Sequence, residues 1–139
     1  MSTSINEIQD EIIEEFELFD DWMQKYDHLI EMGKSLPLID PSLKTDDRLI
    51  KGCQSKVWLA SSKNNGLIEY SADSDAVISR GVIAMLIRVL NKHSADEIMN
   101  ADLYFIDRIG LKEHLSPNRS NGLLSMIRQM KLDAMALSS

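Results

Sequence analysis

Apolar residues near the start of the chain recur at three- and four-residue steps, the spacing of one face of an α-helix. Ser4 precedes this stretch and Glu7 follows three residues later, a capping-box pattern that predicts a helix beginning after Ser4. Asp20 and Asp21 break the helix or cap a new one, and helical spacing then resumes until Gly33. The apolar positions of these two predicted helices are Ile5, Ile8, Ile12, Phe16, Phe19, Trp22, Met23, Tyr26, Leu29 and Ile30.

The middle of the chain has short apolar runs bounded by turn residues, a pattern typical of strands. We predict strands over residues 56–61 and 67–72, joined by a turn at Asn64-Asn65-Gly66. Asparagine and glycine tolerate the positive φ angles of tight hairpin turns. Ile68 and Tyr70 then fall on one face of the second strand, and the segment as a whole predicts an antiparallel hairpin.

Residues 76–91 have little polar surface, so we predict a central buried helix capped by Ser74 or Asp75. Ser94 and Glu97 form a second capping-box pattern, and residues 103–115 read as short helical pieces broken at Gly110. A final helix is predicted from about residue 121 into the tail. Helices at both ends with a strand pair between them indicate an α+β fold. The apolar side of the final helix is predicted to be Leu123, Leu124, Ile127, Met130 and Leu132.

The composition limits the class of protein. The 139 residues, 44% apolar and 27% charged, suit one domain over residues 1–139 with a core that needs no metal or disulfide. A net charge of -7 argues against nucleic acid and against anionic membrane surfaces, because both attract basic proteins. No apolar run is long enough to span a membrane, and Met1 leads into a polar, acidic stretch rather than a signal peptide. A single cysteine cannot form an internal disulfide, so we expect a reducing compartment, the cytoplasm.

Cys53 is the only thiol in the chain, and it follows Gly52 in a polar, turn-like segment between predicted ordered elements. Reactive groups concentrate on loops held by rigid scaffolds, and a glycine permits close approach of another molecule. Lys51 and Lys56 flank the thiol and are expected to favour the thiolate, which is the nucleophile. Composition alone leaves a second interpretation open, in which Cys53 is a small buried hydrophobe.

A single cysteine suits a carrier of persulfide sulfur. A thiolate attacks the outer sulfur of a donor persulfide as in thiol–disulfide exchange, and a second thiol nearby would close a disulfide and expel sulfide. A hydrolase with a Cys53–His114 dyad is a third hypothesis, although no spacing supports it. His28, His93 and His114 lack the spacing of a metal site, and the chain has no glycine-rich phosphate loop.

The polar segment 114–123 precedes the predicted final helix and contains Arg119. Arg119 suits two roles: it holds a partner's carboxylate or stabilises a thiolate, or it makes a surface ion pair at an ordinary helix start. In the second interpretation Ser116 or Ser120 caps the helix, and the residue pattern favours that interpretation.

Four ordered blocks of the sequence match the motifs of a known family. One is Gly52-Cys53-Gln54-Ser55 followed by Val57-Trp58, and another is the segment 114–123. The others are Leu36-Pro37 after Gly33-Lys34, and Asp73-Ser74-Asp75-Ala76 leading into Arg80-Gly81-Val82-Ile83-Ala84. Together these blocks resemble the SufE family, including its CsdE branch, over nearly the whole chain. The resemblance implies an α+β fold with helices packed on a small antiparallel sheet.

The resemblance to SufE also implies a function. Cys53 would accept persulfide sulfur from a cysteine desulfurase of the SufS or CsdA type, stimulate that enzyme and deliver the sulfur towards an iron–sulfur scaffold. The chain would then be a sulfur-transfer partner rather than a stand-alone enzyme. It would need no cofactor of its own, because the pyridoxal phosphate belongs to the desulfurase. The alternative is a protein-binding module in which Cys53 is structural.

Residues beside the cysteine follow from the same resemblance. In the resting family structure the loop tucks its cysteine into an apolar pocket, and docking moves it out. We expect Leu49, Ile50 and Trp58 to line or border that pocket, with plain core as the alternative, favoured for Trp58. The resemblance assigns support of the cysteine loop or docking of the desulfurase to Gly52, Gln54, Ser55, Asp75 and Arg119.

Overall fold

The computed structural model describes residues 4–138, which form seven helices and one two-stranded antiparallel sheet. Residues 1–3 and 139, which belong to the predicted single domain, lie outside the described residues, and the domain assignment stays a prediction. Two 3₁₀ turns, Pro41–Leu43 and Asp46–Arg48, precede the first strand. The elements are α1 (Ile5–Glu17), α2 (Trp22–Gly33), β1 (Val57–Asn64), β2 (Leu67–Ser74), α3 (Val77–Leu90), α4 (Ala95–Met99), α5 (Phe105–Arg108), α6 (Leu111–His114) and α7 (Pro117–Leu137).

The hairpin of β1 and β2 confirms the predicted antiparallel pair. Asn64 pairs with Leu67 across a two-residue turn. The turn residues Asn65 and Gly66 both have positive φ angles, 54° and 81°, as a tight hairpin turn requires. Both strands run past their predicted ends, and alternate residues of β2 are buried against the helices. The small antiparallel sheet with helices around it confirms the α+β prediction.

Helix α3 is the centre of the core, as its apolar sequence predicts. Every residue from 81 to 90 is buried except Arg88. Helix α2 crosses α3 where Gly33 and Gly81 face each other, and a Cβ atom on Gly33 would lie 3.1 Å from the Gly81 nitrogen. A Cβ on Gly81 would collide with the carbonyl oxygen of Leu29. Glycine therefore allows the two helix backbones to approach closely.

The predicted helix starts are confirmed at three places. The Ser4 hydroxyl accepts a hydrogen bond from the Glu7 amide at 3.1 Å, and the Asp21 carboxylate accepts one from the Gln24 amide at 2.9 Å. Ser94 forms the predicted reciprocal capping box. The predicted cap of α3 is wrong: Ala76 is the capping residue and uses no side chain, because Asp75 instead accepts a hydrogen bond from the Lys56 amide.

Helix α7 begins four residues earlier than predicted, at Pro117. The Ser116 hydroxyl accepts a hydrogen bond from the Arg119 amide at 3.3 Å and caps the helix, so the polar segment is its first turn. Leu124 and Leu132, predicted on the apolar side, are 50% and 41% exposed. The buried side of the helix includes two small residues, Gly122 and Ala134. The buried residues of α7 are Gly122, Leu123, Met126, Met130 and Ala134.

No helix within residues 4–138 is long and apolar enough to cross a lipid bilayer.

Candidate functional site

Cys53 lies at the tip of a hairpin-like loop, residues 51–56, which we call the cysteine loop. The Ile50 amide donates a hydrogen bond to the Val57 carbonyl at 2.9 Å and closes the base of the loop. Leu49 and Trp58 extend this base as an isolated antiparallel bridge. The loop therefore has a base fixed by backbone pairing and a tip that depends on side-chain contacts.

The first side-chain contact holds the thiol against helix α7. The Cys53 Sγ donates a hydrogen bond to the Gly122 carbonyl oxygen at 3.6 Å. A Cβ atom on Gly122 would lie 3.5 Å from the same sulfur, so the thiol packs on the glycine itself. This contact leaves Cys53 half-buried, packed beside the hydrophobic core.

The second half of the loop is attached to the start of helix α3. The Ser55 and Ser79 hydroxyls share a hydrogen bond of 2.7 Å, and Ser79 is buried in α3. The Lys56 amide donates to the Asp75 carboxylate at 3.0 Å. The Ser74 hydroxyl donates to the Lys56 carbonyl at 2.8 Å. Two elements therefore hold the loop: α7 at the thiol and the β2–α3 junction at Ser55 and Lys56.

A cleft of about 380 Å³ opens beside the thiol between α3 and α7. Its lining includes the buried apolar side chains of Val82 and Met126, and its rim carries the exposed, oppositely charged side chains of Asp75 and Arg119. No ion pair in the described part of the chain includes Arg119. The cleft thus combines a lining of both polar and apolar side chains with a cation that is available to a partner.

Burial raises the pKa of the Cys53 thiol above its ordinary value of 9.0. The expectation that Lys51 and Lys56 favour the thiolate is wrong for this conformation, because burial is the cause that acts and both lysines are exposed. At neutral pH the resting thiol is therefore protonated and a weak nucleophile.

Most of the predicted site residues meet at this cleft. Gln54, Ser55, Asp75 and Arg119 line it together with Cys53. Gly52 lies beside the thiol in the chain but contacts α7 at Ser125. The structure therefore brings five predicted residues into one cleft and places the sixth, Gly52, outside the cleft against α7.

The predicted pocket lining is wrong. Ile50 is buried under the base of the loop, while Leu49 and Trp58 pair with each other there, and none of the three lines the cleft. Outside the tip of the loop, the lining comes instead from the β2–α3 junction, α3 and α7. Trp58 is also not plain core: it is only partly buried, and the Lys44 ammonium lies 4.5 Å from the centre of its ring.

Four residues that contact the cysteine loop are absent from the predicted site: Ser74, Ser79, Gly122 and Ser125. A signal for two of them exists in the sequence. Gly122 and Ser125 are small residues three positions apart on one helix, a spacing that puts both on one face. Such a face permits another backbone to approach closely.

His114 does not form the dyad of the hydrolase hypothesis. Its Nδ1 lies 3.1 Å from the Gly110 carbonyl oxygen, and its ring stacks on Trp22 at 3.9 Å between centroids. The thiol of Cys53 is bonded to Gly122 instead, and His114 does not line the cleft. Within residues 4–138, no group of three histidine, cysteine or acidic side chains is placed to hold a metal ion.

The sequence and the fold of this chain are similar to those of known proteins. The SufE family model, described as an Fe-S metabolism associated domain, matches residues 10–134. Uncharacterised SufE-like proteins of Rhizobium meliloti (strain 1021) and Rhizobium etli are each 38% identical over 130 residues, which cover 90% of this chain and 93% and 88% of theirs. The solution structure of a hypothetical protein from Thermus thermophilus has the same fold, with a TM-score of 0.77 at 16% identity over 94% of this chain and 95% of that one. The family match spans most of the chain, and this chain therefore belongs to the SufE family, whose domain is associated with iron–sulfur metabolism.

Proposed function

We propose that this protein accepts sulfur on Cys53 from a cysteine desulfurase of the SufS or CsdA type, stimulates that enzyme and passes the sulfur to an iron–sulfur scaffold in the cytoplasm. The observation that carries the proposal is the placement of the only thiol of the chain. It lies at the tip of a loop with a fixed base, against one helix carbonyl and beside an open cleft. A thiol held in this way is protected at rest, and only a few contacts have to break before it can leave helix α7.

The transfer step conserves atoms and electrons. The Cys53 thiolate attacks the outer sulfur of the persulfide on the desulfurase, and a new S–S bond forms as the donor's own S–S bond breaks. The electron pair of the broken bond leaves with the donor thiolate, so no external oxidant or reductant takes part. Cleavage of the carbon–sulfur bond of cysteine stays on the desulfurase, which holds the pyridoxal phosphate.

In this scheme the Cys53 thiol alternates between a buried, unreactive state and an exposed, reactive one. In the cleft, burial raises the pKa of the Cys53 thiol and keeps it protonated. Outside the cleft that cause disappears, so the thiolate fraction rises when the loop leaves α7. Return of the loop would shield a newly formed persulfide from stray thiols and oxidants. The absence of a second cysteine in the chain means that no intramolecular disulfide discharges it.

The rim of the cleft supports recognition of a protein partner. Arg119 is exposed and outside the ion pairs of the described residues, so its guanidinium is available to a carboxylate of the desulfurase. Asp75 is also exposed, and its carboxylate already accepts the Lys56 amide. We therefore assign docking chiefly to Arg119 and loop support chiefly to Asp75.

The direct test is an intact-mass measurement. Wild-type protein is incubated with a cysteine desulfurase and cysteine, and we expect it to gain one sulfur atom and to accelerate alanine release. Cys53→Ser should gain no sulfur and give no acceleration. Arg119→Ala should do both less well, while its thiol reacts with a small alkylating reagent at the wild-type rate. Wild-type protein that stays unmodified while the desulfurase turns over would contradict the proposal.

A second candidate is a protein-binding module in which Cys53 is structural. The packing of Cys53 beside the hydrophobic core favours it. This candidate predicts that Cys53→Ser still stimulates a desulfurase, with only a loss of folding stability. The two functions therefore give opposite results in the same assay.

A further inference from the structure

Gly52 and Ser125 form a close contact between the cysteine loop and helix α7. A Cβ atom on Gly52 would collide with the Ser125 hydroxyl oxygen and lie 3.4 Å from the Ser125 Cβ. Gly52 also has a φ of 94°, a conformation that glycine adopts without strain. The loop backbone therefore lies directly on the Ser125 side chain, with no room for an additional carbon atom between them.

Ser125 and Gly122 together form the surface on which the loop rests, and we call these two residues the seat. They are three positions apart on α7, so they share one face of the helix. Gly122 contacts Cys53 and Ser125 contacts Gly52, so each of these two consecutive loop residues rests on one seat residue. Both seat residues are small, which is the condition for this backbone-to-helix approach.

We propose that Ser125 is a positioning residue for Cys53, and that the size of the side chain at position 125 sets how completely the thiol is sheltered. Size is the property that matters here, because within residues 4–138 the Ser125 hydroxyl makes no hydrogen bond to another protein group, although the residue is half-buried. A larger side chain would occupy the space of the Gly52 backbone and hold the loop away from α7. The thiol would then lose its hydrogen bond to Gly122 and become accessible.

The test uses the single cysteine of the chain as its own reporter. Leucine is a good helix former, so Ser125→Leu should move the loop without weakening helix α7. We expect native Cys53 to react with a small alkylating reagent about tenfold faster in this variant, the effect of overpacking on a local equilibrium. Ser125→Ala keeps the seat small, and its rate should stay within about twofold of wild type.

Two controls make the result specific. Asn121→Leu adds the same side chain at an exposed position of the same helix and should leave the alkylation rate unchanged. Gly52→Ala places one methyl group on the other side of the contact, and it should accelerate alkylation even if Ser125→Leu does not fold. Equal rates in wild type, Ser125→Leu and Gly52→Ala, with urea unfolding midpoints that show folded protein, would overturn the proposal.

The consequence for sulfur transfer rests on the proposed function, and a second assay isolates it. After loading by a desulfurase, Ser125→Leu should lose its extra sulfur to dithiothreitol faster than wild type, with release of sulfide and oxidation of the reagent. The alkylation assay needs no desulfurase. The two proposals can therefore fail separately. If Ser125→Leu is alkylated fast but wild-type protein accepts no sulfur, the role of Ser125 stands and the proposed function is contradicted.

Discussion

The Cys53 thiol and the Gly122 carbonyl oxygen are joined by the hydrogen bond that places the sulfur on helix α7, at 3.6 Å. Only a protonated thiol can donate this bond, and a thiolate in its place would face the negative end of a carbonyl dipole. Ionisation of Cys53 and departure of the loop are therefore coupled. This coupling supplies a reason why a sulfur acceptor would hold its nucleophile in a site that suppresses reactivity.

The first prediction concerns pH. Burial raises the pKa of Cys53 in the resting protein above 9.0, so the resting conformation binds the thiol proton more tightly than the unfolded chain does. The contribution of this pKa shift to the free energy of unfolding is fully present below the ordinary pKa of the thiol. It is lost as pH rises through the raised pKa. We expect the alkylation rate of the native protein to rise at higher pH than that of the urea-unfolded protein. A native midpoint at or below the unfolded one would show that the resting site favours the thiolate.

The second prediction concerns the contact of Asp75 with the Lys56 amide, at 3.0 Å. Asp75→Ala leaves that amide without its acceptor, and we expect native Cys53 to react about fivefold faster, equivalent to about 1 kcal/mol for one hydrogen bond. Asp75→Asn retains a side-chain oxygen at the same position and should keep the wild-type rate. If the two variants react equally fast, the carboxylate charge and not the hydrogen bond controls the loop.

The third prediction compares two buried helical glycines. A Cβ on Gly122 meets Cys53 Sγ at 3.5 Å, an ordinary contact, so Gly122→Ala should raise the free energy of unfolding by roughly 0.5–1 kcal/mol through helix propensity. A Cβ on Gly81 would lie 2.9 Å from the carbonyl carbon of Leu29, so Gly81→Ala should lower it by about 1–3 kcal/mol. Urea unfolding of both variants tests the opposite signs, and destabilisation of equal size in both would contradict them.

The fourth prediction concerns an ion pair that joins α1 to α3. The Glu15 carboxylate accepts hydrogen bonds from Arg88 at 3.0 Å and from His28 at 3.0 Å, and the bond from Arg88 is the main cause that lowers the pKa of Glu15 below 4.5. Because this site is partly exposed, we expect Glu15→Gln to lower the free energy of unfolding by only about 1 kcal/mol at pH 7. Glu11→Gln is the control, since Glu11 is 54% exposed and lies 3.9 Å from Arg88.

The pH dependence of that effect follows from the sign of the shift. A carboxylate with a lowered pKa contributes stability above its unfolded value, and the contribution disappears as pH falls through the folded value. Urea unfolding of wild type and Glu15→Gln should therefore differ at pH 7 and converge in acid, below the lowered pKa of Glu15. A difference that persists undiminished in acid would show that packing rather than charge accounts for the loss.

Local chemistry explains which elements were predictable. Asn65 and Gly66 specify their turn through their own tolerance of positive φ angles, and Ser4 and Ser94 cap helices through atoms three residues away. These relationships involve near neighbours in the chain. The position of α3 at the centre follows from its nearly uniform apolar surface, which only a buried site satisfies.

The incorrect predictions concern choices between surfaces that look alike in sequence. Leu124 and Leu132 are as apolar as Leu123, yet they face outwards because α7 turns Gly122 and Met126 towards the cysteine loop. Asp75 is a good helix cap by residue type, but its carboxylate instead accepts a hydrogen bond from the Lys56 amide of the cysteine loop. Flanking lysines would activate an exposed thiol, whereas burial governs this one.

By itself, the amino-acid sequence determined the α+β class, the hairpin and the helix caps at Ser4 and Ser94, and it singled out Cys53 through composition and motif. These properties depend on backbone preferences and on apolar spacing, which act over a few residues. The tertiary structure alone decided that Cys53 rests on Gly122, that Gly52 lies on Ser125, and that the cleft is lined from α3 and α7. Contacts between residues about 70 positions apart exist only once the chain has packed, because close approach depends on how helices and loop fit together rather than on residue type.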